Sequence, residues 1–203
     1  MAKAQGYPAR SVFKLEEIDD KLHLLAAGQR VLDLGAAPGS WSAYAARKLG
    51  PRGVLLAVDL KPIDVALGSN VHTLVGDALT LSAELLQFAP YDVVLSDMAP
   101  NTSGNRMRDQ ALSFELFMRA LEVARGAGAP GSSFVGKLFM GPDFEAARAA
   151  VAASYGSVRN VRPKGTRQNS VEVFLVGLAK KAEGQRAEPS ASGEAPGRGV
   201  PAG

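Results

Sequence analysis

VLDLGAAPGSW, residues 31–41, joins an apolar run to a glycine-containing turn and then to the start of a helical pattern. Gly35 and Gly39 allow the backbone of this turn to pass close to a ligand, and Pro38 has its φ angle preset for the start of a helix. In an open α/β sheet, ligands bind beyond the carboxyl ends of the strands, which is where the first strand-to-helix turn lies. The stretch therefore predicts a strand, a ligand-binding turn and a helix of an α/β fold.

Short apolar runs alternate with helical patterns on both sides of this turn. The strand-like runs are RVLDL (30–34), GVLLAVD (53–59), VHTLVGD (71–77), YDVVLSD (91–97), GSSFVGKLF (131–139), VRNVRP (158–163) and SVEVFLVGL (170–178). This alternation predicts a mostly parallel, doubly wound sheet of seven strands with helices on both faces. Residues 162–169 are too few for a parallel crossover, so we expect the last strand to run antiparallel.

The length and composition predict one domain and a tail. A chain of 203 residues, 46% of them apolar, can bury the core of one domain, which we place at residues 1–180. This domain includes an N-terminal helix at about 11–25, with Ser11 as its N-cap and Gly28 ending the segment. Residues 181–203 are rich in Pro, Gly and Ala, which is typical of a disordered tail. Because no run of about 18 apolar residues and no apolar leader segment occurs, we expect a cytoplasmic protein with no membrane contact.

The turn lacks both common phosphate-binding signatures. The dinucleotide motif G-x-G-x-x-G needs glycine where Ala37 and Ser40 stand, and no G-x-x-x-x-G-K-[ST] string occurs. Asp59 ends the second strand 24 residues after Gly35, where such folds use an acid to hold the hydroxyls of a ribose. A ligand with a ribose and no phosphate fits S-adenosylmethionine, with its adenine at Asp77. The glycines and Asp59 could each be ordinary turn or strand-end residues, but their placement at successive strand ends favours the cofactor.

Four charged residues are predicted to meet at the carboxyl edge of the sheet. Asp97 follows the fourth strand, and Lys137 interrupts the apolar fifth strand, where an unpaired lysine is costly to bury. Glu172 begins the antiparallel last strand and so reaches the same edge, while Lys14 flanks the apolar face of the N-terminal helix. Taken singly, Lys14 could be solvated, Asp97 could form a turn, and Lys137 and Glu172 could be a structural ion pair. Since the chain has no cysteine and two histidines, we expect no metal site.

Together these motifs resemble the FtsJ/RlmE family of ribose 2′-O-methyltransferases. That family carries a Lys-Asp-Lys-Glu tetrad on a single-domain, Rossmann-like, S-adenosylmethionine-dependent methyltransferase fold. The similarity covers about residues 9–178, through ARSVFKLEEID, DLGAAPGSW, VDL, GDA, SDMAPNTSG, VGKLF and NSVEVFLV. The resemblance implies a tetrad of Lys14, Asp97, Lys137 and Glu172. It also implies cofactor contacts from Gly39, Trp41, Asp59, Asp77 and Asp97, in addition to the Gly35 of the turn.

For methyl transfer to a ribose, we predict that Lys137 is the general base that removes the 2′-hydroxyl proton. Burial and the positive charges of Lys14 and the cofactor sulfonium favour its neutral amine, whereas Asp97 and Glu172 favour the charged form and hold the amine in place. Those three residues would also orient the amine and the hydroxyl for in-line transfer.

A basic excess in the second half of the chain indicates a polyanionic partner. Residues 101–180 contain 11 Lys+Arg against 6 Asp+Glu. The candidate phosphate contacts are Arg106, Arg108, Arg159, Arg162, Lys164 and Arg167. An RNA substrate is expected because only RNA offers a 2′-hydroxyl.

The resemblance to the bacterial ribosomal members implies a uridine of large-subunit ribosomal RNA as the substrate. Family members usually carry a longer basic segment before the first tetrad lysine, whereas thirteen residues precede Lys14 here. We therefore expect either weaker RNA binding or an assembled large subunit as the substrate, which would supply contacts of its own. We also expect a monomer. The alternatives are an enzyme of the same fold acting on transfer RNA or on a non-RNA substrate, and an RNA-binding factor that binds the cofactor without turnover.

Overall fold

The computed structural model describes residues 7–163 and 171–182, which build one seven-stranded sheet. The strands are β1 (Arg30–Leu34), β2 (Val54–Asp59), β3 (Val71–Val75), β4 (Tyr91–Ser96), β5 (Gly128–Phe139), β6 (Tyr155–Val161) and β7 (Glu172–Lys180). They are ordered β3-β2-β1-β4-β5-β7-β6. β7 runs antiparallel to both β5 and β6, and all other neighbouring strands are parallel. The predicted α/β class, the mostly parallel sheet and the antiparallel last strand are confirmed. The tail at 181–203 lies outside the described residues except for its first two positions.

Five helices in the described residues cover the two faces of the sheet. They are α1 (Val12–Leu22), α2 (Ser40–Leu49), α3 (Ala83–Leu86), α4 (Arg106–Ala127) and α5 (Phe144–Ser154). Alternate strand residues point to opposite faces. Leu32 and Leu34 of β1 pack with α3, α4 and α5, whereas Val31 packs with α1 and α2. Each face therefore has its own apolar core, as the alternation of strands and helices predicts.

The N-terminal helix is shorter than predicted. It ends at Leu22 because His23 adopts a left-handed conformation with φ of 52° and donates its backbone N–H to the carbonyl of Asp19. The expected extension toward Gly28 is therefore wrong. Ser11 occupies the N-cap position, but its side chain makes no capping hydrogen bond.

Asp19 fixes α1 against α2. Its carboxylate is buried and accepts hydrogen bonds from the Leu25 N–H and the Tyr44 hydroxyl, both at 2.9 Å. The Lys48 ammonium lies 3.2 Å from the same carboxylate. Buried carboxylates need such partners, so this cluster sets the position of the helix that carries Lys14.

Candidate active site

A cleft of about 350 Å³ lies at the carboxyl ends of β1, β2 and β4 and beside the end of β3. Four of the predicted cofactor residues line it: Gly35, Asp59, Asp77 and Asp97. The remaining wall is mainly apolar and consists of Ala37, Leu60, Ala78, Leu79, Met98, Ala99 and Leu116. The cleft thus has carboxylates for polar groups of a ligand and an apolar surface for a flat ring.

Gly35 is required by the geometry of the first turn. Its φ is +73°, and a Cβ atom at this position would lie 2.2 Å from Cγ of Met98. The N–H groups of Gly35 and Ala36 both donate to the Val58 carbonyl, which fixes the turn to the end of β2. The backbone of the turn is therefore held at the cleft wall without a side chain in the way.

Asp59 and Asp77 are held in place by hydrogen bonds from the backbone. Asp59 accepts from the N–H groups of Ala37 and Lys61, both at 2.9 Å. Asp77 accepts from the N–H of Leu79, also at 2.9 Å. A carboxylate has about four acceptor positions, so each can still bind a hydroxyl or an amine of a ligand.

The residues of this cleft fit S-adenosylmethionine. Asp59 offers acceptors to ribose hydroxyls, and Asp77 lies at the next strand end, where the adenine is expected. Leu60 is 75% exposed although it lines the cleft, which leaves an apolar contact for the adenine ring. Sequence reasoning did not single out Leu60, and its position directly after Asp59 is the signal that would have found it.

Gly39 and Trp41 are not among the residues lining this cleft. Gly39 has a φ of +96°, and a Cβ atom there would lie 2.9 Å from Cγ2 of Ile63. The Trp41 ring is 3% exposed, lies 5.7 Å from the Phe174 ring and donates its Nε1–H to the Ser11 carbonyl at 2.9 Å. Trp41 does line a small cavity that shares Gly35, Ala37 and Asp97 with the cofactor cleft.

The four predicted tetrad residues form two ion pairs at one edge of the sheet. The Lys137 ammonium lies 3.1 Å from Oδ1 of Asp97 and also donates to the Asp97 backbone carbonyl. The Lys14 ammonium lies 2.6 Å from Oε2 of Glu172. The Lys137 side chain is the most buried of the four, at 6% exposure.

Strand alternation explains why these side chains meet. Lys137 lies two residues after Val135 in β5, and Glu172 lies two residues before Phe174 in β7. Val135 and Phe174 both belong to the core that α1 and α2 cover. Residues two apart in a strand share a face, so Lys137 and Glu172 point toward the helix that carries Lys14.

Burial raises the pKa of the Asp97 carboxyl above its ordinary range, while the charges of Lys137 and Lys14 lower it and that of Glu172 raises it. The two ion pairs are therefore electrostatically coupled. The charges of Lys137 and Lys14 both lower the Asp97 pKa, so the removal of either lysine would raise this pKa further and favour protonation of the carboxyl.

Asp33, in β1, is a further buried carboxyl beside the cleft. Burial raises its pKa to about 7, the Ser42 hydroxyl lowers it, and the charges of Asp97 and Asp59 raise it. Ser42 donates to Asp33 Oδ2 at 2.6 Å. Sequence reasoning treated Asp33 only as part of a strand, because nothing in the local pattern shows how many carboxylates surround it.

The predicted RNA contacts are spread over two places. Arg106 and Arg108 are exposed in the first turn of α4. Arg159 is exposed on β6, and Arg162 is exposed directly after that strand. Lys164 and Arg167 lie outside the described residues. Arg162 follows Val161, which pairs with Phe174, two positions from Glu172. Arg159 pairs with Val176, so Arg162 lies nearer to Glu172 than Arg159 does.

Two kinds of feature are absent within residues 7–163 and 171–182. No group of three or more His, Asp or Glu side chains could hold a metal ion. No helix is both long enough and apolar enough to cross a membrane.

Comparison with known proteins gives a consistent result. The family model described as FtsJ-like methyltransferase matches residues 7–180. Ribosomal RNA large subunit methyltransferase E of Sorangium cellulosum is 64% identical over 185 residues, which cover 91% of this chain and 87% of that protein. The protein of the same name from Oleidesulfovibrio alaskensis is 47% identical and covers 89% of each chain.

Solved structures show the same fold at low sequence identity. A ribosomal RNA methyltransferase of Plasmodium falciparum is 24% identical with a TM-score of 0.75, covering 86% of this chain and 98% of that one. Fibrillarin of Aeropyrum pernix, solved with natively bound S-adenosylmethionine, is 15% identical with a TM-score of 0.59, covering 76% and 68%.

Proposed function

Because this chain belongs to the FtsJ-like methyltransferase family and therefore uses S-adenosylmethionine, we propose that it methylates the 2′-hydroxyl of a ribose in large-subunit ribosomal RNA. The names of the relatives support the ribosomal substrate, and the match to the Sorangium cellulosum protein extends over nearly the whole chain. The choice of the 2′-hydroxyl is supported by the paired lysines and carboxylates at the edge of the cofactor cleft.

The observation that carries the proposal is the buried Lys137 ammonium, 3.1 Å from Asp97 at the wall of the cleft. Bound S-adenosylmethionine supplies an electrophilic methyl group on a positively charged sulfur. A ribose hydroxyl becomes a good nucleophile only as its proton leaves. We assign removal of that proton to Lys137 in its neutral amine form. The amine becomes an ammonium as the oxygen–carbon bond forms and the carbon–sulfur bond breaks, and it then releases the proton to water.

Asp97, Lys14 and Glu172 act by orientation in this proposal. Asp97 holds Lys137 through both its carboxylate and its backbone carbonyl, so the amine has little freedom to rotate. The Lys14 ammonium lies 2.6 Å from the Glu172 carboxylate. In this position Glu172 can accept a hydrogen bond from the ribose, or Lys14 can donate one to it. Fixed positioning of the reacting groups supplies a large part of the rate of a transfer reaction.

We further propose that the target is a uridine and that the substrate is the assembled large subunit. Arg106, Arg108, Arg159 and Arg162 are exposed and could contact phosphates on either side of the tetrad. We also propose that the protein acts as a monomer in the cytoplasm. In residues 7–163 and 171–182, helices cover both faces of the sheet, which supports a monomer.

The test measures transfer of labelled methyl groups from S-adenosylmethionine to large subunits that lack the modification. Free ribosomal RNA and transfer RNA serve as comparison substrates. Wild-type protein is compared with Lys137→Ala and with Lys21→Ala, because Lys21 also forms an ion pair of 2.6 Å, with Glu17, but lies outside the cleft. We expect a 2′-O-methyl nucleotide with the wild type and Lys21→Ala, and a loss of about 10²–10⁴-fold with Lys137→Ala.

Two outcomes would contradict the proposal. Retention of more than about a tenth of the rate by Lys137→Ala would exclude Lys137 as the general base. Absence of label in every RNA, with cofactor binding intact by calorimetry, would exclude the RNA substrate.

A further inference from the structure

A second cleft, of about 290 Å³, lies next to the tetrad. It is lined by Arg106 and Gln110 of α4, Phe139 at the end of β5, and Val171 and Glu172 at the start of β7, among others. It shares no lining residue with the cofactor cleft. Asp97 lines the cofactor cleft and Glu172 lines the second cleft, so the tetrad lies between the two.

The position of Gln110 is fixed by its surroundings. Its side-chain Nε2 donates to the backbone carbonyl of Met140. A Cβ atom on Gly141 would lie 2.9 Å from Cδ of Gln110, so the close approach of this amide depends on a glycine. Gln110 is 8% exposed, and the end of β5 is tied to the same helix by the Phe139 N–H, which donates to the Ser113 hydroxyl at 3.0 Å.

The hydrogen bond to Met140 determines which atom of the Gln110 amide is left for a ligand. A carbonyl can only accept, so the nitrogen must face Met140 and the oxygen is the remaining acceptor. In the part of the chain that the structure describes, Oε1 of Gln110 has no hydrogen-bond donor. Gln110 is largely buried and lines the cleft, so its unused acceptor favours a ligand with an N–H or O–H group.

We propose that the second cleft holds the base of the methylated nucleotide and that Oε1 of Gln110 accepts the N3–H of uracil. This inference rests on the proposed function and adds a specificity-determining residue to it. Specific recognition of RNA commonly uses single bases that are splayed out of a stack and hydrogen-bonded on their pairing edge. Ligand sites start at about 300 Å³. The second cleft, at about 290 Å³, is therefore small and suits one base.

Three of the other lining residues fit the same base. Phe139 and Val171 provide apolar contacts for the ring, and Arg106 brings N–H donors that match a carbonyl of uracil. Cytosine carries an acceptor at N3, which would face the oxygen of Gln110 without a proton between them. The arrangement therefore discriminates against cytosine through an unpaired acceptor as well as through a lost bond.

The experiment uses the methyl-transfer assay on large subunits. The nucleotide that the wild type labels is mapped first, and subunits are then prepared with uridine or cytidine at that position. KM and kcat are measured for wild type, Gln110→Met and Ser113→Ala. Ser113→Ala is the matched control, because it removes the hydrogen bond to Phe139 directly behind the cleft but does not line it.

We expect the wild type to prefer uridine by at least about tenfold in kcat/KM, since an unpaired buried acceptor costs that much or more. Gln110→Met should lose this preference, mainly through KM, and keep its affinity for S-adenosylmethionine in calorimetry. Ser113→Ala should keep the preference even where its stability falls.

Three outcomes would overturn the inference while leaving the proposed function in place. They are a wild type that methylates uridine and cytidine equally, a Gln110→Met variant with an unchanged preference, and a Ser113→Ala variant that loses the preference to the same extent. Failure of the wild type to label any RNA is a different result, since it overturns the proposed function and this inference with it.

Discussion

Replacing Asp33 with asparagine should make the stability of the free protein less dependent on pH. Burial raises the pKa of the Asp33 carboxyl from 3.8 to about 7, so the folded state holds a proton that the unfolded state has lost. This pKa difference corresponds to a contribution of about 4 kcal/mol to the free energy of unfolding. The contribution is fully present below about pH 4 and is lost as the pH rises through about 7. Between about pH 5.5 and pH 8, the Asp33 contribution to the free energy of unfolding should fall by about 2 kcal/mol. An asparagine has no such proton to lose and can still accept from Ser42.

The measurement is urea denaturation of both proteins at the two pH values. Asp97 is also buried with a raised pKa, but it is present in both proteins, so the difference between them reports Asp33 together with its coupling to Asp97. Ser42→Ala is the matched control, because removing the 2.6 Å donor should raise the Asp33 pKa further and move the pH-dependent loss upward. If wild type and Asp33→Asn lost equal stability over this interval, the assignment of a protonated Asp33 would be refuted.

Three further changes have defined outcomes. Asp59→Ala should weaken S-adenosylmethionine binding about 10- to 100-fold by calorimetry, since charged hydrogen bonds contribute about 1.5–3 kcal/mol; an unchanged Kd would show that Asp59 does not hold the ribose. Tyr44→Phe leaves the buried Asp19 carboxylate without one donor and should lower the free energy of unfolding by about 1–3 kcal/mol in urea. Lys14→Met removes a charge that lowers the Asp97 pKa, so the acid limb of the kcat/KM profile should move to higher pH; an unmoved limb would show that Asp97 does not control it.

The sheet and the meeting of four charged residues at its edge could be predicted because both follow from local patterns. Alternating apolar runs and the short connection before the last strand give the sheet and its one antiparallel strand. Lys137 stands out because a lysine inside an apolar strand is rare, and strand alternation then brings it to Glu172 on the neighbouring strand.

The parts that could not be predicted depend on contacts between distant segments. The end of α1 is set by His23 and by the Asp19 cluster, in which Tyr44 and Lys48 lie on α2. Gln110 lies within an ordinary helical pattern, and its role depends on Met140, thirty residues away in the chain. The contact of Trp41 with the cofactor, which the resemblance implies, stays a prediction: its ring packs on Phe174, and the residue also lines a small cavity with Gly35 and Asp97 of the cofactor cleft.

The antiparallel insertion of β7 has a consequence for how the protein is made. β7 lies between β5 and β6 and pairs with both. β5 and β6 therefore lack this shared neighbour until β7, the last strand, is synthesised. A ribosome adds about 5–20 residues per second, so the edge of the apolar β5 stays open for roughly 2–7 seconds of translation. An open apolar edge invites pairing with other chains. The strand that brings Glu172 to Lys14 is therefore also the strand that covers the open edge of β5.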